Sequence, residues 1–205
     1  SELVIQRVIE RKALIGGTRR EESQQSFAPE ISGEITALSL DGRAEDVFIG
    51  TSQGQVLRYD VKDPGAPKLM ESAPVTSKPG SPVTALGFLL GDRTLIVGDG
   101  AGGVSSWQVV PPPSGGEKRL TRTYQFAPHA APIVAVTPSR RDKSFATADR
   151  SGSIHISYGT SGQTPLTFAD KRAGLAAVVF APKSDALLAA DGRGVVAQWQ
   201  VHNPH

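Results

Sequence analysis

One internal distance recurs four times along this chain. A nearly continuous apolar run opens at Ile35, Val83, Ile133 and Leu175, and a turn glycine follows 19 residues later each time, at Gly54, Gly102, Gly152 and Gly194 (54 − 35, 102 − 83, 152 − 133, 194 − 175). The glycines themselves lie 48, 50 and 42 residues apart. A constant core joined by connectors of drifting length is the mark of a repeated supersecondary unit. A repeat of roughly 40–50 residues leads to a propeller or a solenoid.

Each unit reads as three strands. The first runs are Ile35–Leu40, Val83–Phe88, Ile133–Pro138 and Leu175–Phe180, apolar enough to be buried on both faces. The second are Asp46–Thr51, Thr94–Asp99, Ser144–Asp149 and Ala186–Asp191, and the third Val56–Val61, Val104–Val109, Ile154–Gly159 and Val195–Val201. Between second and third runs lie Thr51 to Gly54, Asp99 to Gly102, Asp149 to Gly152 and Asp191 to Gly194. A hairpin of this length commonly pairs a type I turn with a left-handed residue, which glycine adopts without a Cβ clash. The Asp or Thr that opens it bonds the backbone two residues on. A more polar fourth strand is expected in the connectors, at Gln24–Phe27, Lys68–Ser72, Leu120–Phe126 and Thr164–Phe168. The N-terminal run Leu3–Ile15 fits a helix face through Val4, Ile5, Val8 and Ile9, but its β-branched content favours a strand.

These units resemble WD40 repeats, whose third strand follows a turn glycine and ends in Trp-Asp. The matching positions hold Tyr59-Asp60, Trp107-Gln108 and Trp199-Gln200, and the third unit departs with Ser157-Tyr158. The family's Asp before the turn glycine is replaced by Gln53, Ala101, Ser151 and Arg193, and its Gly-His pair survives only as Pro128-His129. These departures speak against an intact Asp–His–Ser–Trp network in any unit. The resemblance implies an all-β fold of WD40-like β-propeller blades. The expected division is an N-terminal segment 1–34 with an outer or closing strand, four blades over 35–201 (35–72, 83–126, 133–168, 175–201) and a tail 202–205.

Four units are few for a family that usually closes seven or eight blades. The array is therefore expected to be partial, completed by association, as a dimer, or by sequence beyond this piece. The N-terminal segment is a candidate for the missing outer strand of the last blade, and a closed four-bladed monomer is the alternative. The chain opens at Ser1 and contains one methionine, Met70, so it reads as part of something longer.

A narrower resemblance rests on Leu3 to Glu10 (LVIQRVIE), the degenerate units and the closing Gln198 to His205 (QWQVHNPH). Together they are similar to the extramembrane insert of long-form phosphate ABC transporter permeases of Gram-negative bacteria. That likeness implies a non-catalytic accessory domain at the periplasmic face of the inner membrane. Its partners would be other transporter subunits or a substrate-binding protein, and its membrane link would run only through helices outside this sequence. The alternatives are a stand-alone WD40-like scaffold and a propeller-fold hydrolase.

Composition narrows the chemistry. There are no cysteines, which excludes disulfides, a thiol nucleophile and a cysteine zinc site. The net charge of +2, from 22 basic and 20 acidic residues, gives no reason to expect nucleic acid. No apolar run reaches the ~18 residues of a membrane helix.

Asp99, Asp149 and Asp191 occupy equivalent turn positions and would lie on one surface. Turn bonding to their own backbone is the plainer reading, and adjacent blades hold them too far apart for one ion. Arg140, Arg141 and Lys143, with Asp142 between them, join two strands of the third unit. They form either a candidate surface for phosphate, lipid headgroups or an acidic partner, or a solvated hairpin turn. Arg19, Arg20, Glu21 and Glu22 neutralise one another. His129 is placed to keep the family's structural role, His155 stands mid-strand with no metal-like companion, and His202 and His205 share the tail. Gly98 to Gly103 lacks the Lys-Ser/Thr of a phosphate loop and reads as a hairpin. With no Gly-x-Ser-x-Gly elbow, no catalytic centre, metal site or cofactor is expected.

Overall fold

The computed structural model describes residues 2–12, 16–169 and 174–201. The His202 and His205 tail, and residues 13–15 of the N-terminal run, lie outside them. The described residues form strands and no helix, so no helix is long and apolar enough to cross a membrane.

The chain opens with a hairpin of β1 (Leu3–Lys12) and β2 (Thr18–Phe27), paired in continuous antiparallel register from Leu3 opposite Phe27 to Lys12 opposite Thr18. Four antiparallel sheets follow in chain order. The first holds β3 (Ile35–Leu40), β4 (Asp46–Thr51), β5 (Gln55–Asp60) and β6 (Lys68–Pro74). The second holds β7 (Val83–Phe88), β8 (Leu95–Asp99), β9 (Val104–Val110) and β10 (Arg119–Gln125). The third holds β11 (Ile133–Pro138), β12 (Ser144–Asp149), β13 (Ser153–Tyr158) and β14 (Leu166–Ala169). The fourth has three strands among the described residues, β15 (Leu175–Phe180), β16 (Ala186–Asp191) and β17 (Val196–Gln200).

This corrects one expectation. Gln24–Phe27 is not the outer strand of any of the four sheets of its own chain, because it belongs to β2 and pairs with β1. Nor does the N-terminal segment join β17; it folds back over the first sheet. The reason is apolar complementarity. Leu3, Ile5 and Phe27 pack against the buried Ile49, Leu57, Tyr59 and Val61, with the Phe27 and Tyr59 rings 5.2 Å apart. Arg7 adds a hydrogen bond from its guanidinium to the Lys62 carbonyl at 3.1 Å.

Neighbouring sheets meet through their first strands, β3 with β7, β7 with β11 and β11 with β15. One joint geometry is repeated. The second strand offers a small residue 15 positions after the unit opens, Gly50, Gly98, Ala148 or Ala190. The residue that opens the next unit covers it. A Cβ on Gly50 would lie 2.6 Å from Val83 Cγ1, and one on Gly98 would lie 2.5 Å from Ile133 Cγ2. At the third joint Ala148 and Leu175 share a cluster with Ile154, Val178, Leu187 and Ala189. Val83, Ile133 and Leu175 are all buried. Among the described residues no contact of comparable extent joins β15 back to β3, so the sheets form an open arc.

Candidate interaction surface

The turn carboxylates point inward. Asp99 is buried and accepts backbone N–H bonds from Ser77 at 2.6 Å, Gly103 at 2.8 Å and Ala101 at 2.9 Å. Asp149, fully buried, accepts from the amides of Ser151 and Ser153 at 2.9 and 3.0 Å and from the Ser151 hydroxyl at 2.7 Å. Burial pushes its carboxyl up, but the Ser151 and Ser153 bonds and His129 outweigh that, and it sits below the usual range. Asp191 accepts from the amides of Arg193 at 2.9 Å and Val195 at 3.0 Å; the Val195 bond leads the causes that hold its carboxyl low. In all three hairpins the glycine that closes the turn has positive φ, 85° at Gly102, 100° at Gly152 and 82° at Gly194. These aspartates serve the turns, as turn chemistry predicts, and are spent before any ligand arrives.

The third sheet holds a polar network around His129 that lacks the tryptophan of the full arrangement. His129 lies in the connector before β11, with Nδ1 3.2 Å from Asp149 Oδ2 and Nε2 2.8 Å from the Thr147 hydroxyl. A carboxylate only accepts, so Nδ1 carries the proton and Nε2 accepts from Thr147. His155, on β13, stacks on His129 with ring centroids 3.7 Å apart. His155 thus packs face to face on another histidine, 26 residues away in the chain (155 − 129). Burial, then the neighbouring His155, lower His129 to about 4 against the opposing pull of Asp149. Burial also lowers His155, whose Nδ1 has no hydrogen-bond partner. In the second sheet a different pair does similar work, with Trp107 Nε1 donating to Ser105 Oγ at 2.8 Å.

Arg140, Arg141 and Lys143 are exposed and belong to the loop between β11 and β12. This loop ties three sheets together. The Arg140 amide donates to Ser184 Oγ at 3.0 Å in the fourth sheet, and Lys143 Nζ donates to the Leu90 carbonyl in the second. Asp142 is held ionised: burial raises its carboxyl, but bonds from the Ser144 hydroxyl and amide bring it below the usual range. Beside Arg140 the ends of β7, β11 and β15 converge on a groove of about 380 Å³ lined by Phe88, Leu89, Leu90, Pro138 and Val179. The structure thus holds the three basic residues in one loop at the strand ends of the third sheet, and it leaves Asp99, Asp149 and Asp191 inside the hairpins.

No protein-family model matches the chain, and no curated protein matches it. Solved structures do. The computationally designed Ika4 protein is similar at 19% identity with a TM-score of 0.64, over 84% of this chain and 94% of that one. U3-55K, a WD40 protein, is similar at 16% identity with a TM-score of 0.68, again over 84% of this chain. The match covers 50% of the U3-55K chain. Identities this low establish the fold alone. The chain is all-β, with a WD40-like β-propeller fold.

Proposed function

We propose that this chain is a non-catalytic protein-interaction module that docks a partner at the loop end of the arc. The groove beside Arg140 carries the reading: an apolar floor gathered from three sheets, with Arg140 and Asp92 in its lining and Arg141 and Lys143 exposed on the same loop. Such a surface suits a partner segment that presents an apolar side chain next to carboxylates. The non-catalytic reading is supported by the engagement of Asp99, Asp149, Asp191 and His129 in structural hydrogen bonds.

The finer reading rests on the sequence resemblance. In it the chain is a periplasmic accessory domain of a phosphate ABC transporter permease, and the docked partner is the substrate-binding protein or a neighbouring transporter subunit. Titration calorimetry of the chain against the phosphate-binding protein and the transporter's extramembrane segments tests it. Binding weakened at least tenfold by Arg140→Glu with Arg141→Glu is the expected result. Binding unchanged by that double substitution would remove the groove from the proposal, and no binding to any transporter component would remove the transporter.

A further inference from the structure

Among the described residues both ends of the arc leave a sheet face open, and each lacks what the other has. At the far end, the fourth sheet packs Val178, Phe180, Leu187 and Ala189 against the third and turns its other face outward. That face carries Ala177, Ala190 and Val196 in register, with Val179 beside them. Val179 is 55% exposed and Val196 61%. Ala190 is the small residue of the repeated joint, and no unit among the described residues covers it.

At the near end, the exposed face of the first sheet carries Leu38 and Leu40, 50% and 54% exposed. Ile35 holds the place of Val83, Ile133 and Leu175 but is only half-buried. The hairpin covers the outer part of this face, over Leu57, Tyr59 and Val61. It leaves a groove of about 560 Å³ between β1 and β3, lined by Val4, Val8, Leu38, Leu40 and Val47. The hairpin thus supplies two strands at the outer side of a blade position whose inner side is empty. The fourth sheet supplies three strands, and no described strand covers the free edge of β17.

We infer that the fourth sheet of one copy enters the groove on the first sheet of a second copy, with Ile35 of the second copy seated on Ala190. The contact continues the joint already made three times within the chain, with the same small residue under the same opening residue. β17 then lies beside β1 of the other copy, so a three-stranded sheet and a two-stranded hairpin share one blade position. The exposed main chain of a strand edge is satisfied in this way. Two such contacts close a two-fold ring of eight sheets and leave no open face, as closed symmetry requires.

The loops bear on the same docking. Loops of successive sheets already touch, at Gly42 with Asp92, Leu90 with Lys143, and Arg140 with Ser184. The next contact would set the third- and fourth-sheet loops, with Arg140, Arg141, Lys143 and Lys183 against Asp142 and Asp185, near the first-sheet loop. In that loop Asp46 is already paired with Arg58 at 2.7 Å and Glu45 with Lys62 at 3.6 Å, so the contact rests on its apolar faces and not on charge.

The absence of cysteine makes the test clean. In the second joint a Cβ on Gly98 would stand 3.0 Å from Ile133 Cβ, close enough that cysteines at equivalent positions bridge after a small adjustment. Ile35→Cys and Ala190→Cys proteins, made separately and mixed under oxidation, should form a covalent heterodimer. The doubly substituted chain should form a dimer without free thiol. Light scattering of the unsubstituted chain should approach twice the chain mass as concentration rises, and Val196→Asp, at an exposed position, should shift it back to one. Arg140→Glu with Arg141→Glu, the pair that tests partner docking, should weaken association less than Val196→Asp does. A single-chain mass at every concentration would overturn the inference. So would a cross-link closed within one chain, or a dimer in which the two cysteines never bridge.

Discussion

The imidazoles of His129 and His155 stack with their planes 22° apart, and His129 at the same time reaches Asp149 at 3.2 Å. Burial and the neighbouring ring hold His129 down to about 4 in the folded chain, against about 6.5 when unfolded. The unfolded chain therefore binds a proton that the folded chain refuses across that window. Stability should be full above pH 6.5 and should fall by about 2–3 kcal/mol as the pH drops toward 4. Urea midpoints measured from pH 7.5 to 4 would show it. His155→Phe keeps a flat ring over His129 and removes the second histidine, so it should make the slope shallower.

Below that window a second loss should begin. Asp142, Asp149 and Asp191 are held below the usual carboxylate range, so their contribution is present above about pH 4 and lost as they protonate. Asp149→Ala should cost the most of the three turn aspartates, about 2–4 kcal/mol. It strands two amides, the Ser151 hydroxyl and His129 in a buried site. Asp191→Ala strands two amides in a more open hairpin and should cost less. Denaturant unfolding at pH 7.5 ranks them.

Gly98→Ala should destabilise by about 1–3 kcal/mol, because the new Cβ meets Ile133 Cγ2 at 2.5 Å. Ile133→Ala is costly by itself as a buried truncation, but because crowding is at fault the pair should cost less than the sum of the two single substitutions. A double-mutant cycle by thermal unfolding reads the sign of that coupling.

Substitutions in the basic loop should leave the fold alone. Arg140 and Arg141 are exposed, and the loop's contact with Ser184 is made by the Arg140 backbone amide. Arg140→Glu and Arg141→Glu should each change stability by less than about 0.5 kcal/mol. Any loss of partner binding they cause then reports on the surface itself.

The interval of 19 residues carried most of the architecture, because strand, turn and strand are local and the closing glycine must accept positive φ. The strands β3 to β5 and their three counterparts follow it closely. The hairpin was harder to read. Gln24–Phe27 is polar and precedes a first strand, as an outer strand would, and only the packing of Leu3, Ile5 and Phe27 on the first sheet reveals where it lies. The turn aspartates were legible for the same local reason. The His129–His155 stack was not, since one ring comes from a connector and the other from a strand 26 residues on. The signal for the joints was present but unread: Gly50, Gly98, Ala148 and Ala190 stand at one fixed offset from the start of their units.

That offset has a bearing on how such a molecule changes length. Each sheet carries a socket for the unit after it and a plug for the unit before, and the third joint swaps glycine for alanine with Leu175 still buried beside it. A sheet built to this plan does not register which neighbour it has. Duplicating 83–132 in place would present the same plug to Gly50 and the same socket to Ile133. The arc would lengthen by one unit without altering any existing junction, so its curvature, more than its joints, sets how many units it takes to meet itself.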